Sequence, residues 1–163
     1  MTNHSNTSDN QTNMAKRLKA LVAVHLLLIK DDQVLLSRRF NTGYHDGDYS
    51  VPAGHVDEGE NATQAMLRET VEEIGIKISP KDLKFSTVMH RYSDDGSERI
   101  DFFFSCKIWS GQEKICEPNK CDELKWVPLD NLPENTIEYV KAGINCYLNN
   151  IKFTQFGWEA TQK

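Results

Sequence analysis

The sequence predicts a mixed α/β (α+β) layer fold, a mixed central sheet sandwiched between helices. Three observations carry this reading. Strand-like segments outnumber helix-like ones, one helix follows an early group of three strands, and a second helix comes near the end. The length, 163 residues with 39% hydrophobic content, suits one globular domain with a sizeable core. Pattern alone does not fix the strand order.

Residues 1–15, MTNHSNTSDNQTNMA, are polar and rich in Asn, Ser and Thr, so a disordered leader is expected there, followed by a single domain over 16–163. Leu18 to Lys30 is nearly continuous in apolar residues, which suits a strand buried on both faces. The Asp31-Asp32 turn returns the chain through QVLLSRRF as a hairpin partner. Residues 41–50 are loop chemistry, and Tyr49-Ser50-Val51 is a short extended piece ending at Pro52. Asn61 to Ile74 reads as a helix closed by Gly75. Two more strands, FSTVMHRY and RIDFFFSCKIW, flank the DDGSE turn. In the second, Ile100, Phe102, Phe104, Cys106 and Ile108 alternate with Asp101, Ser105 and Lys107, implying one apolar and one polar face. Glu123 to Val127 is a further strand, and Ile137, Val140, Ile144 and Leu148 give helical spacing over 136–148.

A net charge of −5 and a pI near 5.5 speak against a nucleic-acid polymer as the default partner, because such proteins usually carry a basic face. The longest apolar run, Ala20 to Ile29, is too short to span a bilayer. A soluble cytoplasmic protein without membrane attachment is therefore expected, as a monomer or homodimer. Cys106, Cys116, Cys121 and Cys146 form no C-x-x-C pair, so reduced thiols are favoured over a zinc site.

The stretch Gly54 to Ile76 is the informative one. Between Asp57 and Glu73 stand six acidic residues and one basic residue, Arg68. At about 100° per residue, Leu67, Thr70, Val71 and Ile74 share a face and Glu69, Glu72 and Glu73 share the opposite one. Like charges at these spacings cost about 0.2–0.5 kcal/mol per pair. A hard divalent cation would relieve that repulsion, since Mg²⁺ takes oxygen ligands beside phosphate. Gly54 is expected to let the backbone turn so that a carbonyl near Ala53 reaches the metal. Glu60 is placed to brace the loop, and Arg68 to orient the glutamates.

Gly54, Glu60, Arg68, Glu69, Glu72, Glu73 and Gly75 match every fixed position of the Nudix signature, with Ile76 as the closing aliphatic and Thr70 the one departure. The chain resembles the Nudix hydrolase family, MutT-like in type, over roughly residues 18–150. The resemblance implies an α/β/α sandwich and hydrolysis of a nucleoside diphosphate linked to another group, with Mg²⁺ or Mn²⁺ as cofactor. By matching position it implies Glu69, Glu72 and Glu73 as metal ligands with the Ala53 carbonyl, and Glu69 as a candidate base held by Arg68. It also implies Glu117 as a further ligand and Arg39 as a phosphate contact. The small-molecule substrate expected first is a nucleoside triphosphate, native or modified, giving NMP and pyrophosphate. ADP-ribose, a nucleotide sugar or a dinucleoside polyphosphate is the same-fold alternative, and a non-catalytic nucleotide sensor the alternative of another class. No long insertion points to mRNA-cap or coenzyme A specialisation. His90, Arg91 and Asp101 stay open between a base or sugar contact and a structural role.

Overall fold

The structure, a computed structural model, describes residues 17–159; the polar leader lies outside them. In chain order the elements are β1 (Leu21–Lys30), β2 (Gln33–Arg39), β3 (Tyr49–Ser50), β4 (Ala53–His55), α1 (Ala62–Ile74), β5 (Lys84–Tyr92), β6 (Glu98–Cys106), β7 (Cys121–Pro128), α2 (Glu138–Leu148) and β8 (Phe153–Phe156). The sheet runs β3-β2-β1-β6-β5-β8, with β4 also pairing β1 and β7 also pairing β2. It is mixed as expected: β1 runs parallel to β6 and β5 parallel to β8, while the other pairs are antiparallel.

β1 is central, and Ala23 through Ile29 are all buried, which explains its unbroken apolar run. Alternate residues feed two separate cores. Leu27 and Ile29 join Phe103, Met89 and the α2 residues Val140 and Ile144 on one side. Val24, Leu26 and Leu28 join Ala65, Met66, Ile74 and Phe104 under α1 on the other. The period of two thus assigns one strand to both layers of the sandwich.

Three details differ from the sequence reading. β4 and β8 were not anticipated. β4 is three residues long and is defined only by its register to β1, with His25 opposite Ala53 and Val24 opposite Gly54. β8 is likewise defined by its parallel register to β5, from Val88 opposite Phe153 to Arg91 opposite Phe156. Neither pairing leaves a local trace. In β6 the expected alternation holds only in part: Asp101, expected on the polar face, is fully covered with Phe103, whereas Ser105 is half-buried and Lys107 exposed, and Ile108 is exposed beyond the strand end. Asp101 tolerates this because His25 and Arg91 both hydrogen-bond its carboxylate.

Candidate active site

α1 begins at Asn61, whose side chain accepts from the Gln64 amide at 3.0 Å while Gln64 Oε1 accepts from the Asn61 amide at 2.9 Å, a complete capping box. It ends at Gly75, in the left-handed region at φ 70°, ψ 18°, where only glycine sits without strain. The buried face is formed by Ala65, Met66, Thr70 and Ile74. Val71, expected inside, is 46% exposed. The apolar stripe is rotated toward Met66, so Glu69 and Glu73 border the sheet side instead of facing solvent. Only Glu72 of the three acids is largely exposed. Thr70, the departure from the signature, fits because its hydroxyl donates to the Leu67 carbonyl at 2.8 Å.

Arg68 organises the loop before the helix and the acids on it. Its Nε donates to Glu60 Oε2 (3.2 Å). Nη2 donates to Glu60 Oε1 (2.7 Å) and the His55 carbonyl (3.0 Å). Nη1 donates to Glu69 Oε1 (2.7 Å) and Glu72 Oε2 (3.1 Å). These five bonds match the five N–H donors of a guanidinium, a geometry that lysine cannot copy. Glu60 also accepts from the Asp57 amide, and the Arg68 hydrogen bond, then that amide, lower its pKa.

Glu73 is held differently. Its Oε2 accepts from the Ala53 amide at 2.8 Å, tying the helix to β4. Burial pushes its pKa up to about 8, against the pull of that amide, and the charges of Glu69 and Glu117 add to the rise. Burial also raises Glu69, opposed by the Arg68 hydrogen bond. Gly54 matters for a reason other than the expected turn: its φ is unremarkable, but a Cβ there would stand 2.0 Å from the Glu69 carboxylate. The glycine makes room for a side chain, not for a bend.

The long connection before β7 is stitched to the end of α1, through Cys116 N–H to the Glu73 carbonyl (3.0 Å) and Lys114 N–H to the Ile74 carbonyl (3.0 Å). This seating brings Glu117 to the acids. A tight turn follows, with the Lys120 and Cys121 amides donating to the Glu117 carbonyl at 2.9 and 3.0 Å. Lys120 Nζ donates to Glu117 Oε1 at 2.7 Å. Glu69, Glu72, Glu73, Glu117, Ala53, Gly54, Arg39 and Lys120 all line one cavity of about 390 Å³.

Beside the Glu117 turn, where Arg39 pairs with Cys121 across β2 and β7, Arg39 Nε donates to the Tyr44 carbonyl (2.6 Å) and Nη2 to the Thr42 hydroxyl (3.0 Å). The loop that receives it is folded upon itself, since the Asp46 carboxylate accepts from the Thr42 amide, the Thr42 hydroxyl and the Gly43 amide. Arg38 also borders the cavity but is paired to Asp122 by two bonds, with Glu123 nearby.

The donor set fits a hard divalent ion: all its groups are oxygens, they repel one another, and Glu73 is desolvated. The carboxylates are engaged by Arg68 and the Ala53 amide, however. Among the described residues no three His, Cys, Asp or Glu side chains are already converged for coordination. Receiving an ion would need the glutamate ends to rotate.

The model of the NUDIX domain matches residues 19–145, most of the chain. The chain belongs to the NUDIX family. Among curated Nudix relatives, the NAD-capped RNA hydrolase NudC of Stutzerimonas stutzeri (strain A1501) is 30% identical over 108 residues, covering 66% of this chain and 36% of that protein. NudC of Escherichia coli (strain SMS-3-5 / SECEC) is 33% identical over 104 residues, 64% of this chain and 37% of that protein. The match thus spans little more than a third of those relatives. The Nudix fold is seen in the MutT NUDIX hydrolase from Burkholderia pseudomallei (TM-score 0.72, 23% identity, covering 78% of this chain and 97% of that one). It is also seen in the MutT protein from Methanosarcina mazei Go1 (TM-score 0.70, 19% identity, 85% and 100%).

Of the residues singled out from the Nudix signature, Gly54, Glu69, Glu72 and Glu73 line the cavity together with Arg39 and Glu117, Glu60 and Arg68 are hydrogen-bonded behind the acids, and Gly75 and Ile76 lie at the helix end and in the core. Lys120 was missed; it stands three residues after Glu117 with no spacing rule to mark it. Arg91 and Asp101 lie elsewhere, paired in the core beneath α2. His90 meets the Trp158 ring at 4.7 Å, and the Trp158 indole N–H donates to the His90 carbonyl.

Proposed function

We propose that this domain catalyses divalent-cation-dependent attack of water on the diphosphate of a nucleotide, with a nucleoside triphosphate, native or modified, as first substrate. The observation that carries this reading is the meeting of four glutamates with Arg39 and Lys120 around one cavity. Acids for a cation and bases for phosphate line the same walls, and that pairing suits a phosphoric anhydride.

Glu69, Glu72, Glu73 and Glu117, with the Ala53 carbonyl, are the groups that would hold Mg²⁺ or Mn²⁺. Bound there, the ion would neutralise phosphate charge and make water more acidic. Arg68 keeps Glu69 Oε1 occupied, leaving Oε2 to accept the proton of the attacking water. Arg39, braced by Tyr44 and Thr42, would orient a phosphate. Water adds to one phosphorus, the bridging P–O bond breaks, and pyrophosphate leaves with NMP as the other product.

A second reading, cleavage of a dinucleotide such as NAD or of an NAD-type cap, is favoured by the name of the curated relatives. A hollow of about 260 Å³ lined by Tyr44, Tyr92, Tyr139 and Phe156 among others offers aromatic surface for a second ring system. ADP-ribose belongs to the same reading.

The test is incubation with Mg²⁺ and a panel of NTPs, modified NTPs, ADP-ribose, NAD and Ap4A, following the phosphate products. Pyrophosphate from NTPs supports the first reading. Two mononucleotides from NAD, or AMP from ADP-ribose without pyrophosphate, support the second. Tight binding without turnover identifies a sensor. Glu73→Gln is expected to stay folded and to lose about 10²-fold or more in turnover; wild-type turnover in that variant would refute the site.

A further inference from the structure

We propose that Lys120 is the resident counter-ion of the acidic cavity, displaced from Glu117 when a divalent ion arrives and thereby released to bind the substrate's diphosphate. The inference rests on the reading of Glu117 as a metal ligand.

Four cationic side chains border the cavity or brace it, and three of them are fixed in place by partners other than the cavity's metal-ligand candidate Glu117. Arg68 spends all five donors on Glu60, Glu69, Glu72 and the His55 carbonyl. Arg38 is locked to Asp122. Arg39 is held by its own loop. Lys120 is bound by one hydrogen bond, to Glu117 Oε1 at 2.7 Å, and its side chain is 57% exposed. An ammonium has three donors, so two remain for solvent or an incoming anion.

Its backbone, by contrast, is fixed. The Lys120 amide donates to the Glu117 carbonyl, and its carbonyl accepts from the Phe40 amide at 2.9 Å, next to Arg39. The head can therefore swing on a four-carbon stem without disturbing the turn that presents Glu117. Its charge also acts favourably on Glu73, across the same cavity. In the metal-free protein Lys120 thus supplies part of the positive charge that the acids need.

An ammonium and a divalent ion cannot share one carboxylate without repelling each other. Ion entry frees Lys120 at the wall that leads to Arg39, where a diphosphate would lie. The two events are coupled: the lysine opposes metal binding in the empty site and favours substrate once metal is present.

The experiment measures Mn²⁺ affinity by electron paramagnetic resonance without nucleotide, together with steady-state kinetics, in wild type, Lys120→Met, Lys120→Arg and Glu117→Gln. Lys120→Met should bind Mn²⁺ about fivefold more tightly or better, while KM for the nucleotide rises about tenfold and kcat changes little. Lys120→Arg should stay near wild type in Mn²⁺ affinity. Glu117→Gln should weaken Mn²⁺ binding. If Lys120→Met leaves Mn²⁺ affinity unchanged or weaker while Glu117→Gln lowers it, the displacement role is overturned and the ligand assignment stands. If Glu117→Gln binds Mn²⁺ as wild type does, the ligand assignment fails and the proposal falls with it.

Discussion

Gly54 shows how one missing methyl group can set the position of a charge. The Glu69 carboxylate occupies the volume where a Cβ would be, and Arg68 holds its Oε1 from the other side. Gly54→Ala should leave the protein folded, since the backbone there has no unusual φ, yet drive Glu69 out of place. A misplacement of about 1 Å can cost around 10²-fold in rate, so turnover in Mg²⁺ should fall by that order with an unchanged circular dichroism spectrum. Wild-type turnover would show that Glu69 can relocate freely. The sequence marks Gly54 clearly, through its fixed distance to Glu60 and Arg68. It does not reveal the cause, because a clash between residues 54 and 69 exists only after the helix has docked on β4.

α1 was the most legible element, since its period, caps and acids are all local. Asn61 and Gln64 close its first turn, and Gly75 ends it. Asn61→Ala removes one half of the capping box and should lower unfolding free energy by about 1 kcal/mol, measured by urea denaturation, with kcat unaffected. An unchanged midpoint would mean that packing alone sets the helix start. Glu72 and Glu73 sit in the last turn, where the partial negative charge of the helix end opposes them and no basic residue offsets it. Helix periodicity placed Leu67, Thr70 and Ile74 on the packed side but put Val71 there too, because Ala65 and Met66 draw the stripe away from Val71 once the sheet is present. Elements defined by long-range pairing, β4 and β8, were invisible for the same reason that Lys120 was: their partners are distant in sequence.

Across the whole molecule, the sandwich separates an acidic cavity from a buried polar knot. The knot is Asp101 with His25 and Arg91, buried between β1, β5 and β6, and Arg91 also stacks 3.9 Å over the Tyr139 ring. Burial works to raise the Asp101 pKa, but the His25 hydrogen bond and charge, followed by those of Arg91, outweigh it and hold the value at about 2. A depressed carboxylate stabilises the fold fully above its unfolded pKa of about 4. That contribution should fade as the pH falls from about 4 to 2. Asp101→Asn leaves Arg91 buried without its counter-charge and should cost about 3–5 kcal/mol. It should also flatten the acid limb of a stability-versus-pH curve, measured by thermal melts. A variant as stable as wild type at pH 7 would contradict this account. Composition could not foresee the knot, since an aspartate alternating with phenylalanines reads as an exposed face until both sides of the sheet are covered.

The loop braced by Asp46 has a consequence for diversification. Three of its hydrogen bonds close within residues 42–46, and the glutamate-bearing hardware is fastened separately by Arg68 and by the strap over the end of α1. Chimeras that import this hairpin-sized segment from a homologue should leave the acidic helix and its Arg68 brace in place while altering the seat of Arg39, which makes it a natural graft point for evolution or for the bench.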